Sequence, residues 1–118
     1  MTKNPIVISL ERIERWLLSL DPKSTAGITA SCKDCLVARY IKDQGGRRPQ
    51  VAHHYTRFVY TSTGIRMKRK LSGRTSELIR QFDRLATTPG EGTPVSAERS
   101  LALVREIKAA LASGVDLP

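Results

Sequence analysis

Residues 50–71 read QVAHHYTRFVYTSTGIRMKRKL, and this stretch decides the fold class. Its first half is rich in the β-branched and aromatic side chains that strands favour, and Gly64 closes a Ser-Thr-Gly sequence that is typical of a turn. Beyond the turn, Arg66, Lys68 and Lys70 occupy alternate positions, and a strand places such a set on one face. We therefore predict a β-hairpin with a basic stripe that faces solvent.

Amphipathic helices are predicted before the hairpin. Apolar residues from position 10 to position 20 repeat at helical spacing behind an N-cap at Ser9. Ser31 and Asp34 resemble a capping box and predict a second helix that ends near Gln44. The segments around these helices are predicted to be a lead-in with a short strand at 6–8, a loop at 22–30 and a basic connector at 47–49.

Two further helices are predicted after the hairpin. Thr75 or Ser76 is the expected N-cap of the third helix, and Ser96 is that of the fourth. Residues 87–95 are predicted to be a flexible loop before the C-terminal helix, because Gly, Pro and Thr are frequent there. The predicted fold is α+β, with four amphipathic helices packed around a central basic β-hairpin in the order helix-helix-hairpin-helix-helix. We expect residues 1–118 to form a single small globular domain.

The composition is that of an ordinary globular protein of 118 residues, with 40% hydrophobic and 26% charged residues. No apolar run approaches the ~20 residues of a membrane span, and the run at 6–8 is too short for a signal peptide. The two cysteines are fewer than a secreted, disulfide-stapled domain usually carries. We therefore expect a cytoplasmic protein with no membrane partner.

The net charge of +9 is concentrated in one segment. Between Asp43 and Glu77 the chain has eight cations and no acidic residue, whereas the remaining 85 residues hold 12 cations and all 11 acids. A concentration of one sign of charge raises the local concentration of counter-ions. An anionic partner is therefore expected at the hairpin.

The basic hairpin predicts binding to the phosphate backbone of DNA or RNA, which Lys and Arg hold through charge and counterion release. Tyr55, Phe58 and Tyr60 lie within it and would stack on unpaired bases. A basic strand face also occurs without a ligand, where Lys blocks edge pairing between sheets. The primary hypothesis is a small non-enzymatic accessory protein that binds nucleic acid. The predicted contact residues are Arg47, Arg48, Arg57, Arg66, Lys68, Arg69, Lys70 and Arg74.

Cys32 and Cys35 are the candidate metal ligands, and they would supply half of a tetrahedral zinc site. The other half would have to come from His53 and His54 or from a second copy of the chain. Adjacent residues on a strand point to opposite faces, so the two histidines are not expected to share one metal. We therefore predict no metal site and no cofactor, with the cysteines acting as small apolar residues.

Two other functions are alternatives to nucleic acid binding. The chain would suit a protein-interaction module, of the kind found in phages or mobile elements, that docks on an acidic surface of a larger complex. It would also suit a small ribonuclease, in which His53, His54, Tyr55 and Arg57 act on an RNA phosphodiester. The sequence contains no phosphate-binding loop and no nucleophile elbow.

Overall fold

The computed structural model describes residues 5–88 and 91–114. Within these ranges the chain forms an α+β fold with four helices and a three-stranded antiparallel sheet, so the predicted class and helix count are confirmed. None of these helices is both long and apolar enough to cross a membrane. The helices are α1 (Leu10–Leu18), α2 (Leu36–Asp43), α3 (Gly73–Asp83) and α4 (Ala97–Ala112).

The predicted hairpin is part of a larger sheet. Strands β2 (Gly46–Val51), β3 (Tyr55–Tyr60) and β4 (Arg66–Lys70) pair antiparallel in the order β2-β3-β4. The segment 47–49, which was predicted to be a basic connector, is therefore part of strand β2. The sequence did not indicate a strand there because the segment contains Pro49. Proline donates no ladder hydrogen bond and is tolerated only at strand edges and bulges. Here β2 is an edge strand, and its pairing slips between Arg47 and Gln50.

A second, two-stranded sheet joins segments that were predicted to be loops. Strand β1 (Thr25–Ile28) pairs antiparallel with β5 (Pro94–Ser96). Both strands are too short to show a clear alternation, and Gly27 interrupts the first. This glycine is required by packing, because a Cβ there would lie 2.5 Å from the backbone nitrogen of Leu36. Residues 1–4 of the predicted lead-in and residues 89 and 90 of the predicted loop lie outside the described residues, and no strand forms at 6–8.

Two of the four helices begin at the predicted N-cap, and the other two begin elsewhere. Ser9 and Ser96 cap α1 and α4 as predicted, each accepting a backbone hydrogen bond three residues on. Helix α3 begins one turn earlier than predicted, because the Ser72 hydroxyl accepts from the Thr75 amide at 3.2 Å. Helix α2 begins at Leu36 and not after Ser31, so the proposed capping box does not form there. Cys35 is the N-cap residue instead.

The inner face of the three-stranded sheet packs against α2. Phe58 of β3 and Ile41 of α2 are both buried in the core. Gly46 permits the close approach, because a Cβ there would lie 2.5 Å from the Ile41 side chain and 3.1 Å from the Phe58 ring. Since α2 covers this side, the opposite face of the sheet is left to solvent.

Glu77 is a buried carboxylate in α3 that links stability to pH. Its side chain is 4% exposed, lies 2.6 Å from the Arg80 guanidinium and accepts a 3.0 Å hydrogen bond from the Gln81 amide. The Gln81 hydrogen bond and, next to it, Arg80 hold the Glu77 pKa below its ordinary value of 4.5, against the opposing effect of burial. A carboxyl with a lowered pKa in the folded state stabilises it above the unfolded pKa and loses that effect as protons bind.

We therefore expect the free energy of unfolding to fall as the pH drops below about 4.5. Denaturant unfolding followed between pH 7 and pH 3 measures this dependence. The variant Glu77→Gln should show a shallower fall over the same range, because its side chain cannot titrate. Equal pH dependence in the two proteins would show that Glu77 does not contribute.

Candidate nucleic-acid interface

The solvent-facing side of β4 carries three cations in a row. Arg66, Lys68 and Lys70 are exposed, and the residues between them are half-buried. The strand register places Lys68 directly opposite Arg57 and Lys70 directly opposite Tyr55 of β3. The alternation read from the sequence therefore matches the pattern of exposure along β4.

Strand β2 extends the same face. Arg47 of β2 pairs with Val59 of β3, and Gln50 of β2 pairs with Arg57 of β3. The Arg47 and Gln50 side chains therefore lie on the side of the sheet away from α2. We define the outer cationic face by its five cations and one aromatic residue. These residues are Arg47, Tyr55, Arg57, Arg66, Lys68 and Lys70.

The charges on the outer cationic face are not neutralised within the sheet. Strands β2, β3 and β4 contain no acidic residue. Among residues 5–88 and 91–114, no carboxylate forms an ion pair with any of the five cations. Like charges directly opposite one another, such as Arg57 and Lys68, destabilise a sheet. The arrangement therefore costs stability.

Tyr55 is the aromatic residue of this face, and the residue is 39% exposed. The Lys68 ammonium lies 4.9 Å from the centre of its ring, and the Arg57 guanidinium carbon lies 5.5 Å from it. Cation–π attraction at such distances favours an ordered ring. The ring is thus held at the surface beside two positive charges.

Phe58 and Tyr60, the other predicted stacking residues, are placed differently. Phe58 is 2% exposed on the inner face. The Tyr60 hydroxyl accepts a hydrogen bond from the Ile6 amide at 3.1 Å, so this ring also faces inward. Neither ring is presented to a partner on the outer cationic face.

Arg69 belongs to the inner face as well. Its Nη2 donates to the Tyr60 hydroxyl at 2.6 Å, and its Nη1 donates to the backbone carbonyl of Ile6. The guanidinium carbon also lies 5.7 Å from the centre of the Phe58 ring. These contacts tie β4 and β3 to the N-terminal segment, so the structure separates Arg69 from the other predicted contact residues.

Arg48 and Arg74 lie outside the outer cationic face. Arg48 adopts a left-handed backbone conformation, with φ of 51°, at the bulge in β2. It lines a groove of about 330 Å³ together with Lys33 and Lys42, two cations that sequence reasoning did not include. Arg74 is the second residue of α3, and its guanidinium lies 3.2 Å from the Glu11 carboxylate.

A cavity of about 510 Å³ gathers the chemically reactive side chains. Cys32, Cys35, His53, His54 and Asp83 all contribute to its lining. The histidines lie in the turn between β2 and β3 and not on a strand, so the strand alternation that was expected to separate them does not apply there. The described part of the chain nevertheless contains no group of three or more His, Cys, Asp or Glu side chains placed to hold a metal ion.

The two cysteines differ in character. Cys32 is exposed in the turn before α2, whereas Cys35 is 5% exposed at its N-cap. Burial raises the pKa of the Cys35 thiol to about 11. At neutral pH this thiol is protonated, which disfavours nucleophilic attack. The Cys35 side chain packs in the hydrophobic core.

No protein-family model matches the chain, and comparison with curated proteins and with solved structures finds no match to it either. Function must therefore be argued from the arrangement of side chains alone.

Proposed function

We propose that this protein binds nucleic acid through the outer cationic face and carries out no chemistry itself. The observation that carries the proposal is a single exposed sheet face with five cations and no acidic residue around a surface tyrosine. Phosphate backbones are held by such charges without any need for a base-reading motif.

The geometry of β4 suits a repeating anion. Alternate residues on a strand are about 6.8 Å apart, so Arg66, Lys68 and Lys70 span roughly 14 Å. Arg57 adds charge on β3, about 4.8 Å from β4, and Arg47 adds charge on β2, the strand beyond β3 and about 9.6 Å from β4. The row on β4 and the cations of β3 and β2 beside it form a surface that contacts several phosphates at once.

Fluorescence anisotropy with labelled single-stranded DNA, single-stranded RNA and duplex DNA tests the proposal. We expect affinity that falls linearly on a plot of log association constant against log salt, because bound phosphates release counterions. Absence of binding to all three probes, both at low salt and at about 0.15 M, would overturn the proposal. The interaction with an acidic protein surface would then be the function to pursue.

A ribonuclease is a second candidate, and one observation favours it. His53 and His54 are both exposed in the same turn and share a cavity with Asp83. A histidine and a carboxylate near a cationic surface are the groups that acid–base cleavage of RNA uses. Electrophoresis of labelled RNA after incubation distinguishes the two functions. A pure binding protein leaves the RNA intact, whereas a ribonuclease shortens it and loses that activity in His53→Ala or His54→Ala.

A further inference from the structure

We infer that the outer cationic face takes single-stranded nucleic acid, with an unpaired base stacked on the ring of Tyr55. This inference rests on the proposed function and specifies the class of ligand. Among the described residues, Tyr55 is the one exposed large apolar residue with an aromatic ring on which a base can stack. The others are aliphatic: Val7, Leu18 and Ile65.

The surroundings of Tyr55 match a stacked nucleotide. Lys70 of β4 is paired with Tyr55 of β3. Arg57 lies two residues further along β3 and is paired with Lys68 of β4. A base that stacks on the ring takes the place of the Lys68 and Arg57 side chains, which then bind the phosphates that precede and follow it. Proteins that bind single strands combine these two elements, a cationic track and an aromatic platform.

The shape of the sheet disfavours a duplex. A two-stranded β-ribbon fits the major groove of DNA, which is about 12 Å wide. Here β2 widens the pair β3–β4 to three strands, and α2 packs against the inner face at Phe58 and Ile41. The face is therefore a broad platform and not a ribbon that can enter a groove. In a duplex the base rings are already stacked on one another, so Tyr55 would meet only the backbone.

The test compares a labelled 12-nucleotide oligo(dT) with a 12-nucleotide strand of abasic sites. Both carry the same phosphates, and only the first carries bases. We expect the native protein to bind oligo(dT) about 5- to 150-fold more tightly, which is the effect of stacking one base on an aromatic side chain. A 12-base-pair duplex should bind less tightly than oligo(dT).

Two variants assign this preference to the ring. Tyr55→Leu keeps an apolar side chain and should reduce the preference for oligo(dT) over the abasic strand to less than about 2-fold, because the platform for base stacking is lost. Its salt slope should stay unchanged. Tyr55→Phe keeps the ring and should retain the preference. Thermal unfolding of each variant checks that it is folded.

The outcomes separate the inference from the proposed function. If native protein binds both strands equally and Tyr55→Leu changes neither, or if the duplex binds most tightly, the inference is overturned while nucleic acid binding stands. If no probe binds at any salt concentration, the proposed function itself is wrong.

Discussion

Replacing Arg66, Lys68 and Lys70 together by alanine is expected to lower the salt slope of single-strand binding by about 2, because each lost phosphate contact removes roughly 0.7. If the native and variant proteins bind equally at 1 M salt, this slope corresponds to an affinity loss on the order of 50-fold at 0.15 M. The three side chains are exposed on one strand face, so the fold should tolerate the change. Anisotropy titrations across a salt series measure both quantities.

A second triple variant controls for net charge. Arg15, Lys23 and Arg99 are also exposed, and they lie in α1, in the loop after it and in α4. Alanine at these three positions removes the same charge away from the sheet and should leave the salt slope within about 0.5 of the native value. Equal losses in the two triple variants would mean that overall charge, and not the outer cationic face, governs binding.

Arg69→Ala is expected to lower stability by about 3 kcal/mol and to leave the salt slope unchanged. A hydrogen bond from a charged donor contributes roughly 1.5–3 kcal/mol. The Arg69 guanidinium donates to both the Tyr60 hydroxyl and the Ile6 carbonyl. For a chain of this length the loss corresponds to a fall in Tm on the order of 10 °C. Thermal unfolding measures it.

Arg66→Ala is the matched comparison for this prediction. The two arginines lie on the same strand, but Arg66 is on the outer face and Arg69 is on the inner face. Exposed substitutions away from specific contacts usually change stability by less than about 0.5 kcal/mol, so Arg66→Ala should weaken binding and keep Tm. An Arg69→Ala protein with native Tm and a lower salt slope would place Arg69 in the binding site.

The sequence predicted what depends on local periodicity. The alternation at 66–70 placed Arg66, Lys68 and Lys70 on one face, and the structure has them so. The N-caps at Ser9 and Ser96 were predictable because a serine hydroxyl at a helix start accepts a hydrogen bond from a backbone amide only three residues further on. The four helices were likewise visible as apolar stripes.

The parts that sequence reasoning missed depend on tertiary contacts. Arg69 belongs to the same basic run as its neighbours, and only the position of Ile6 and Tyr60 shows that it is structural. Arg48 shares a groove with Lys33, in the turn before α2, and with Lys42 of α2. Proline is rare in strands, so the sequence around Pro49 did not predict one. Pro49 is tolerated in β2 because β2 is an edge strand with a bulge at this position.

The most direct test of the central claim is an NMR titration of ¹⁵N-labelled protein with oligo(dT) of 12 nucleotides. Binding at the outer cationic face predicts that the amide signals of β3 and β4, above all those of Tyr55, Arg57, Lys68 and Lys70, shift together as the oligonucleotide is added. The signals of α4, which does not belong to the sheet, should stay in place. Shifts concentrated in α1 or α4, with β3 and β4 unchanged, would contradict the account.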